Sequence, residues 1–265
     1  GEGGMSSEQS FEKTGRSDSL LGRAVMFDVM KGGYGKSTLS MNLADRISNM
    51  GYDVLYIDLD PNGHITHVLG FDEVYSDPEH DYGYVVSEKG WYQKATLAPK
   101  ELVHATEWGW DFVPSYDDLE VFNATLREMD NSSQVLAKKF LMPMFEEGMY
   151  DFCIMDGGGE RSRVADNGFV AGRRAIIPVC PGEESISAIN RTWTRVIEPL
   201  YSKFDNFELL AVTPNKLTQR IDHRTADREL IERLNSSRRF AEKLPSYARI
   251  TEEEFERLDN GRTGM

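Results

Sequence analysis

The chain has 265 residues, of which 44 are Asp or Glu and 30 are Lys or Arg, so its formal net charge is −14 at pH 7. A hydrophobic content of 40%, with 13 Phe and 11 Tyr, excludes an intrinsically disordered chain and is enough for a buried core. No stretch approaches the ~18 uninterrupted apolar residues of a membrane span, and two cysteines, Cys153 and Cys180, exclude a disulfide framework and favour a reducing cytoplasm.

The first 20 residues are rich in Gly, Ser and charged residues and carry few apolar side chains. The four residues ahead of Met5 have the composition of a cloning remnant, and we expect a disordered tail over residues 1–20. Residues 21–265 contain no low-complexity linker and no internal repeat. We therefore expect them to form one domain.

Beyond this tail, short apolar runs alternate with segments of helical periodicity. Buried strands are predicted at residues 24–30, 54–57, 112–114, 152–155, 175–179 and 209–212. Helices are predicted at residues 39–50, 117–129, 133–147 and 186–201. Strands that alternate with helices imply parallel pairing through crossover connections. The sequence therefore predicts an α/β fold with one doubly wound, mostly parallel sheet flanked by helices.

A glycine-rich loop joins the first predicted strand to the first predicted helix. It reads Lys31-Gly32-Gly33-Tyr34-Gly35-Lys36-Ser37-Thr38. Glycines let successive backbone N–H groups point at phosphate oxygens, and the dipole of the following helix adds to the attraction. In such a loop Lys36 reaches the β- and γ-phosphates, and the Ser37 hydroxyl ligates Mg²⁺. We therefore predict a P-loop NTPase that binds ATP and Mg²⁺ through these residues.

The loop departs from the general pattern G-x-x-x-x-G-K-[ST], because Met30 stands at the first glycine position and Lys31 precedes the glycines. The pattern K-G-G-x-G-K-[ST]-[ST] is the deviant Walker A loop. Over residues 22–263 the chain resembles the ParA/MinD family of ATPases, and within it the ParA/Soj-type partition ATPases. The resemblance implies that Lys31 crosses a nucleotide-sandwiched homodimer and neutralises charge on the transferred phosphoryl group.

A second segment of the resemblance reads Asp58-Leu59-Asp60-Pro61-Asn62-Gly63. The family usually has D-L-D-P-Q-G there, so Asn62 replaces the usual Gln. The resemblance implies that Asp60 orients the attacking water in ATP hydrolysis, and that Asp58 supports either the metal ion or the loop. From the residues alone, two Asp that merely end a strand are an equally good interpretation.

A third segment, residues 150–156, is an apolar strand that ends in Asp156 and resembles the Walker B strand. A carboxylate at this position lies beside Mg²⁺, so the predicted metal ligands are Ser37, Asp58 and Asp156. The family continues with D-x-P-P-S, whereas this chain continues with three glycines at 157–159. Because glycine restricts the backbone least, we expect a loosened loop here.

Two carboxyl-terminal segments resemble the part of the family that borders adenine. Asn215 follows the strand predicted at 209–212, and Pro245 stands in a segment similar to I-P-x-x-x-x-[IL]. The resemblance implies that both residues lie beside the base of ATP. A turn residue and a helix-stopping proline are the alternative interpretation.

A net charge of −14 argues at first sight against nucleic-acid binding, because phosphate contacts need Lys and Arg. Over residues 216–243, however, eight basic residues stand against five acidic ones. Four of the basic residues recur at helical spacing: Lys216, Arg220, Arg224 and Arg228. ParA relatives bind DNA non-specifically through basic residues in this region, so the resemblance implies backbone contacts here. A solvated helix face paired with acids is the alternative.

The resemblance implies a cytoplasmic, nucleoid-associated ATPase for plasmid or chromosome partition. ATP drives homodimer formation, the dimer binds DNA, and a ParB-like adaptor protein stimulates slow hydrolysis and release. A positioning ATPase for another cargo shares every motif and stays open. A MinD-like division regulator needs a basic amphipathic terminal helix, whereas residues 251–256 are acidic, so we expect no stable membrane association. A reductase with a bridging iron–sulfur cluster needs paired exposed cysteines, and Cys153 stands inside a predicted strand.

Overall fold

A computed structural model describes residues 20–76, 99–117, 119–128, 132–215 and 224–237. The strands in these ranges are β1 Ala24–Phe27, β2 Val54–Leu59, β3 His104–Ala105, β4 Asp111–Val113, β5 Phe152–Gly157, β6 Arg174–Val179 and β7 Glu208–Pro214. They form one sheet in the order β3-β4-β2-β5-β1-β6-β7. Neighbours pair in parallel except β3, which is antiparallel to β4. The predicted doubly wound, mostly parallel sheet is confirmed.

Helices cover both faces of this sheet. They are α1 Lys36–Asn49, α2 His64–Val68, α3 Asp72–Tyr75, α4 Leu119–Glu128, α5 Met142–Glu146, α6 Arg163–Gly172, α7 Glu183–Thr192, α8 Glu198–Lys203 and α9 Arg224–Ser236. Short 3-10 turns lie at Pro99–Leu102 and Ser132–Gln134. None of the helices in the described ranges combines the length and the apolar character that a membrane crossing requires.

The sheet has a buried core on each face because side chains alternate along every strand. On one face Val25 and Phe27 of β1 pack with α1 through Ala44. On the other face Ala24 and Met26 pack in the larger core, to which α4 through α8 contribute. A parallel sheet that is covered on both faces explains why its strands read as continuous apolar runs.

Two of the predicted helices are not continuous α-helices. The third predicted helix contains a wide π-helical turn at Leu136–Leu141 before α5, and the fourth contains one at Trp193–Ile197 between α7 and α8. Pro143 and Pro199 follow these turns as the second residues of α5 and α8. Proline lacks the N–H for the α-helical hydrogen bond, and its ring collides with the carbonyl four residues earlier. That carbonyl falls inside the π-helical turn in both cases, and the wider turn accommodates the ring.

Helix α6 crosses β1 and β2 at a glycine. A methyl group at Gly168 would lie 2.6 Å from Met26 Sδ and 2.7 Å from Leu59 Cδ1. The amino-terminal end of the helix is held by Ser162, whose hydroxyl oxygen accepts a hydrogen bond from the Ala165 amide at 2.9 Å. The close crossing and the cap fix where α6 begins, and therefore where the turn between β5 and α6 ends.

Replacing Gly168 by Ala is expected to destabilise the fold although Ala is the better helix former. The gain in helix propensity is at most about 1 kcal/mol, whereas overpacking a closed core costs about 1–3 kcal/mol. We expect a net loss of about 1–2 kcal/mol in the free energy of unfolding, measured by urea denaturation. Asn190→Ala on the exposed surface of α7 is the control and should stay within about 0.5 kcal/mol of the wild type. A Gly168→Ala protein as stable as the wild type would show that α6 can move away from the sheet.

Candidate nucleotide-binding site

The glycine-rich loop connects β1 to α1 at the carboxyl ends of the central strands. β1 lies between β5 and β6, and its Phe27 is the pairing partner of Asp156 on β5. Asp156 in turn pairs with Asp58 on β2. These strand ends bring the loop, Asp58 and Asp156 to one edge of the sheet. Ligands bind at this edge in open α/β sheets, where neighbouring crossovers run to opposite sides.

Two glycines with positive φ shape the loop. Gly33 and Gly35 have φ of 78° and 77°, in the left-handed region that glycine adopts without strain. A methyl group at Gly35 would also lie 2.0 Å from Nδ2 of Asn215, which follows β7. That Nδ2 donates a hydrogen bond to the Tyr34 carbonyl at 3.0 Å. The structure therefore places Asn215, which was predicted beside adenine, against the phosphate loop.

The side chain of Tyr34 ties the loop to the start of α7. It is buried, and its hydroxyl lies 3.1 Å from Ser185 Oγ. The Ser185 hydroxyl donates in turn to the Cys180 carbonyl. Gly32 and Thr38 are exposed. The open side of the loop is therefore formed by its glycines and by the first turn of α1, while Tyr34 packs into the protein.

The two lysines of the loop have different surroundings. Lys36 is buried, and its ammonium donates to the Lys31 carbonyl at 3.4 Å, within the loop itself. Lys31 is partly exposed, and its ammonium donates to the carboxylate of Glu184 on α7. This hydrogen bond raises the pKa of Lys31 and lowers the pKa of Glu184. Water screens such an exposed ion pair, so Lys31 can leave it at little cost.

Ser37 and Asp156 form a pair that fits a divalent cation. The Ser37 hydroxyl donates to Asp156 Oδ2 at 2.5 Å. Asp156 is fully buried, and its Oδ1 has no hydrogen-bond partner within the described residues. Burial, and then the nearby Asp58, raise the pKa of Asp156 well above its usual value. A buried carboxylate oxygen that accepts no hydrogen bond destabilises the fold, and a bound cation would remove this cost.

The chemistry of this pair suits Mg²⁺ in particular. Mg²⁺ in phosphate-binding sites takes one or two protein oxygens and completes its shell with phosphates and water. Ser37 and Asp156 supply a hydroxyl and a carboxylate at the end of the glycine-rich loop. No group of three or more His, Cys, Asp or Glu side chains is arranged to hold a metal ion in the part of the chain that is described.

Asp58 holds the connection between β2 and α2. Its Oδ2 accepts hydrogen bonds from the Thr66 amide at 3.1 Å and the Thr66 hydroxyl at 2.7 Å, and its Oδ1 accepts one from the Asp60 amide at 3.0 Å. Burial raises the pKa of Asp58 to about 7. Of the two roles predicted for Asp58, support of the loop is the one that these contacts provide.

Asp60 stands on the loop that follows β2. Its Oδ1 accepts hydrogen bonds from the Asn62 amide at 2.9 Å and from Asn62 Nδ2 at 3.2 Å. The Ser115 hydroxyl donates to the Asp60 carbonyl at 2.6 Å, and the Tyr75 hydroxyl donates to the Pro61 carbonyl at 2.8 Å. Asn62, the residue that replaces the usual Gln, thus orients the carboxylate of Asp60.

The three glycines at 157–159, for which we expected a loosened loop, form a closely packed turn in this structure. A methyl group at the first glycine would lie 2.5 Å from Asp28 Cγ, one at the second 2.9 Å from Pro61 Cδ, and one at the third 3.1 Å from Lys36 Nζ. The third glycine also has φ of 83°. Absence of side chains lets the turn contact three parts of the site at once.

Some predicted site residues lie outside the described ranges, namely Lys216, Arg220 and Pro245. The predicted tail lies outside them as well, apart from its last residue. Arg224 is the first residue of α9, and Arg228 is exposed on that helix. Of the predicted DNA-binding residues, the structure therefore describes only the last two, Arg224 and Arg228.

Four residues that shape the site were not predicted from the sequence: Asp28, Thr66, Ser115 and Glu184. Asp28 carried a visible signal, because a charged residue stood inside an apolar run that was predicted as one buried strand. β1 ends at Phe27, so Asp28 belongs to the loop. The other three contact the site through tertiary packing, for which the sequence holds no local signal.

A family model described as an AAA domain matches residues 22–208. The chain is 29% identical over 174 residues to a probable plasmid-partitioning protein ParA of Thermus thermophilus, an alignment that spans 66% of this chain and 50% of that protein. It is 30% identical over 158 residues to the chromosome-partitioning ATPase Soj of the same organism, spanning 59% of this chain and 54% of that protein. The chain thus spans about half the length of these curated relatives.

Among solved structures, cobyrinic acid a,c-diamide synthase from Mycobacterium smegmatis, with a bound ATP analog and magnesium, has a TM-score of 0.69 to this chain. The identity is 20%, and the superposition covers 82% of this chain and 83% of that one. At this identity the likeness shows the shared fold alone. The family match, by contrast, covers well over half of the chain and includes the glycine-rich loop and both aspartate-bearing strands. The chain belongs to this AAA domain family, as a ParA/Soj-type member of the ParA/MinD deviant Walker A group.

Proposed function

We propose that this protein binds and hydrolyses MgATP as a switch for DNA partition. The observation that carries the proposal is the contact between Ser37 and Asp156 beside the glycine-rich loop. Within the described ranges, the second oxygen of Asp156 is buried without a donor. A phosphate loop, a hydroxyl and a carboxylate that lacks a partner together form a site for a nucleotide and its cation.

The glycine-rich loop supplies the contacts for the phosphates. Backbone amides of residues 32–35 and the ammonium of Lys36 would bind them, at the amino-terminal end of α1. Ser37 and Asp156 would hold Mg²⁺, and the bound cation would supply charge neutralisation at the phosphates. Lys36 already lies inside the loop and is shielded from water, which strengthens its attraction to an anion.

Asp60 is the residue that we assign to the attacking water. A carboxylate there would accept a hydrogen bond from the water and orient it for in-line attack. Asn62 and Ser115 hold Asp60 in place through its side chain and its carbonyl. Asp58 holds the same loop from inside the sheet. Several hydrogen bonds within this chain thus fix the carboxylate that would orient the water.

We assign Lys31 to the phosphates of the nucleotide that a second protomer binds. In the proposed ATP-bound homodimer it leaves Glu184 and contacts the phosphates held by the partner. A cation there would stabilise charge on the transferred group, as an arginine finger does. The partial exposure of Lys31 and its weak ion pair make this movement inexpensive.

Partition of DNA is the biological role that we infer from the relatives, which are plasmid- and chromosome-partitioning proteins. The ATP-bound homodimer would bind DNA non-specifically and place the protein on the nucleoid in the cytoplasm. A ParB-like adaptor would stimulate otherwise slow hydrolysis and release the dimer. A positioning ATPase for a different cargo would use the same nucleotide chemistry, and the DNA experiment below separates the two roles.

Replacing Asp60 by Ala should abolish hydrolysis and preserve ATP binding. Loss of a group that orients the nucleophile lowers turnover by about 10²–10⁴-fold. We therefore expect size-exclusion chromatography to show an ATP-stabilised dimer of this variant, and a monomer with ADP. Lys36→Ala is the matched control, which should lose ATP binding and dimer formation together. A monomer of Asp60→Ala with every nucleotide would contradict the proposal.

Replacing Asp156 by Asn should weaken the binding of Mg²⁺ more than the binding of the nucleotide. The change removes a negative charge next to the cation, so the Mg²⁺ concentration for half-maximal hydrolysis should rise at least about tenfold. Titration of Mg²⁺ after treatment with EDTA measures this change. The exposed Asp205→Asn serves as the control and should titrate like the wild type. An unchanged titration in Asp156→Asn would exclude Asp156 as a ligand.

Replacing Arg220 and Arg224 together by Glu should abolish retention on DNA and leave ATP binding intact. Each lost phosphate contact lowers the slope of log affinity against log salt by about one. Gel-shift assays with ATP at several salt concentrations measure both effects. Retention equal to the wild type would remove this region from the proposal, and absence of DNA binding by the wild type would favour another cargo.

A further inference from the structure

Asp28 is a charged residue in the protein core that the proposed mechanism does not use. It follows β1, and its side chain is 4% exposed. Burial raises the pKa of this carboxyl to about 7, although the nearby Lys36 ammonium acts in the opposite direction. A buried carboxyl group destabilises a fold unless other groups bind it. The hydrogen-bond partners of Asp28 therefore indicate its role in the structure.

The carboxylate joins two segments that are distant in sequence. Its Oδ1 accepts hydrogen bonds from the Val29 amide at 2.8 Å and from the Gly159 amide at 3.0 Å. Val29 leads from β1 into the glycine-rich loop, whereas Gly159 belongs to the turn between β5 and α6. One oxygen atom thus binds the backbone at the base of the phosphate loop to the backbone of the turn.

The turn and Asp28 are complementary in shape as well as in hydrogen bonding. A methyl group at Gly157 would lie 2.5 Å from both Cγ and Oδ2 of Asp28, so the carboxylate fills the space of a side chain at that position. The related family pattern has proline where this chain has Gly159, and proline has no N–H to donate. Glycine at 157 supplies the room, and glycine at 159 supplies the donor.

The same turn borders the two residues to which we assign the chemistry. A methyl group at Gly158 would lie 3.2 Å from Asp60 Oδ1, and one at Gly159 would lie 3.1 Å from Lys36 Nζ. Any movement of the turn would therefore open or close the space around both groups. Glycines restrict a backbone weakly, so a fixed position requires an external hold.

We propose that Asp28 is a positioning residue for ATP hydrolysis, whose carboxylate holds the turn at 157–159 against Lys36 and Asp60. The inference rests on the proposed ATPase function. Loss of the hold would leave the phosphate-binding amides and Lys36 in place and would displace the wall beside Asp60. The effect is therefore expected on turnover, with little effect on the binding of ATP.

Two substitutions at this position separate positioning from charge. Asp28→Ala removes the acceptor, and we expect kcat to fall at least about tenfold, with Kd for ATP within about threefold of the wild type. In the nucleotide-free protein, the Gly159 amide should exchange its hydrogen at least about tenfold faster, as measured by NMR. Asp28→Asn keeps the size and the Oδ1 acceptor, so it should return kcat and amide exchange to within about threefold of the wild type.

Wild-type kcat and Gly159 exchange in Asp28→Ala would overturn the proposal, as would an Asp28→Asn protein that is as impaired as Asp28→Ala. If Asp28→Ala does not fold, Asp28→Ser takes its place, because the shorter side chain falls short of Gly159. Asp205→Ala, in the exposed turn before β7, is the control and should match the wild type. A wild-type protein without ATPase activity would contradict the proposed function instead, and amide exchange would then still test the hold of Asp28 on Gly159.

Discussion

Three carboxyl groups are buried side by side in the described part of the sheet, at the ends of the adjacent central strands β2, β5 and β1. They belong to Asp58, Asp156 and Asp28, and burial raises the pKa of each. Such groups destabilise a fold through desolvation and mutual repulsion. The surrounding loops offset this cost with hydrogen-bond donors. Thr66 and the Asp60 amide donate to Asp58, and two backbone amides donate to Asp28. Asp156 accepts the Ser37 hydroxyl through Oδ2, whereas its Oδ1 has no hydrogen-bond partner within the described residues, and this deficit defines the site.

Close backbone contact makes these arrangements possible. The turn at 157–159 approaches both the glycine-rich loop and the loop after β2 more closely than side chains on the turn would allow. Each of the three segments has a proposed role. The glycine-rich loop binds phosphate, the loop after β2 orients the attacking water, and the turn links the two. Movement of the turn would therefore alter the space beside Asp60 and Lys36, because the turn packs directly against both side chains. A switch that responds to the γ-phosphate of ATP would require this kind of contact.

The sequence predicted the strands and the class of the sheet better than the details of the loops. Periodic apolar runs and the glycine-rich loop identified the sheet and the nucleotide site, because both depend on local pattern. The π-helical turns were missed because helical periodicity was followed through Pro143 and Pro199, although proline marks a break. The three glycines were expected to be loose, since local propensity does not show what packs against a turn. Asp28 was included in a predicted apolar strand for a different reason, because its charge inside the apolar run was not used as a signal that the strand had ended.

The hydrogen bond between Asn215 Nδ2 and the Tyr34 carbonyl has a mechanical consequence for β7. It joins the residue that follows this strand to the backbone of the phosphate loop, although the two residues are distant in the sequence. A single side-chain amide therefore couples the carboxyl end of β7 to the loop. A shift of the loop backbone would be transmitted through Asn215 to the end of that strand.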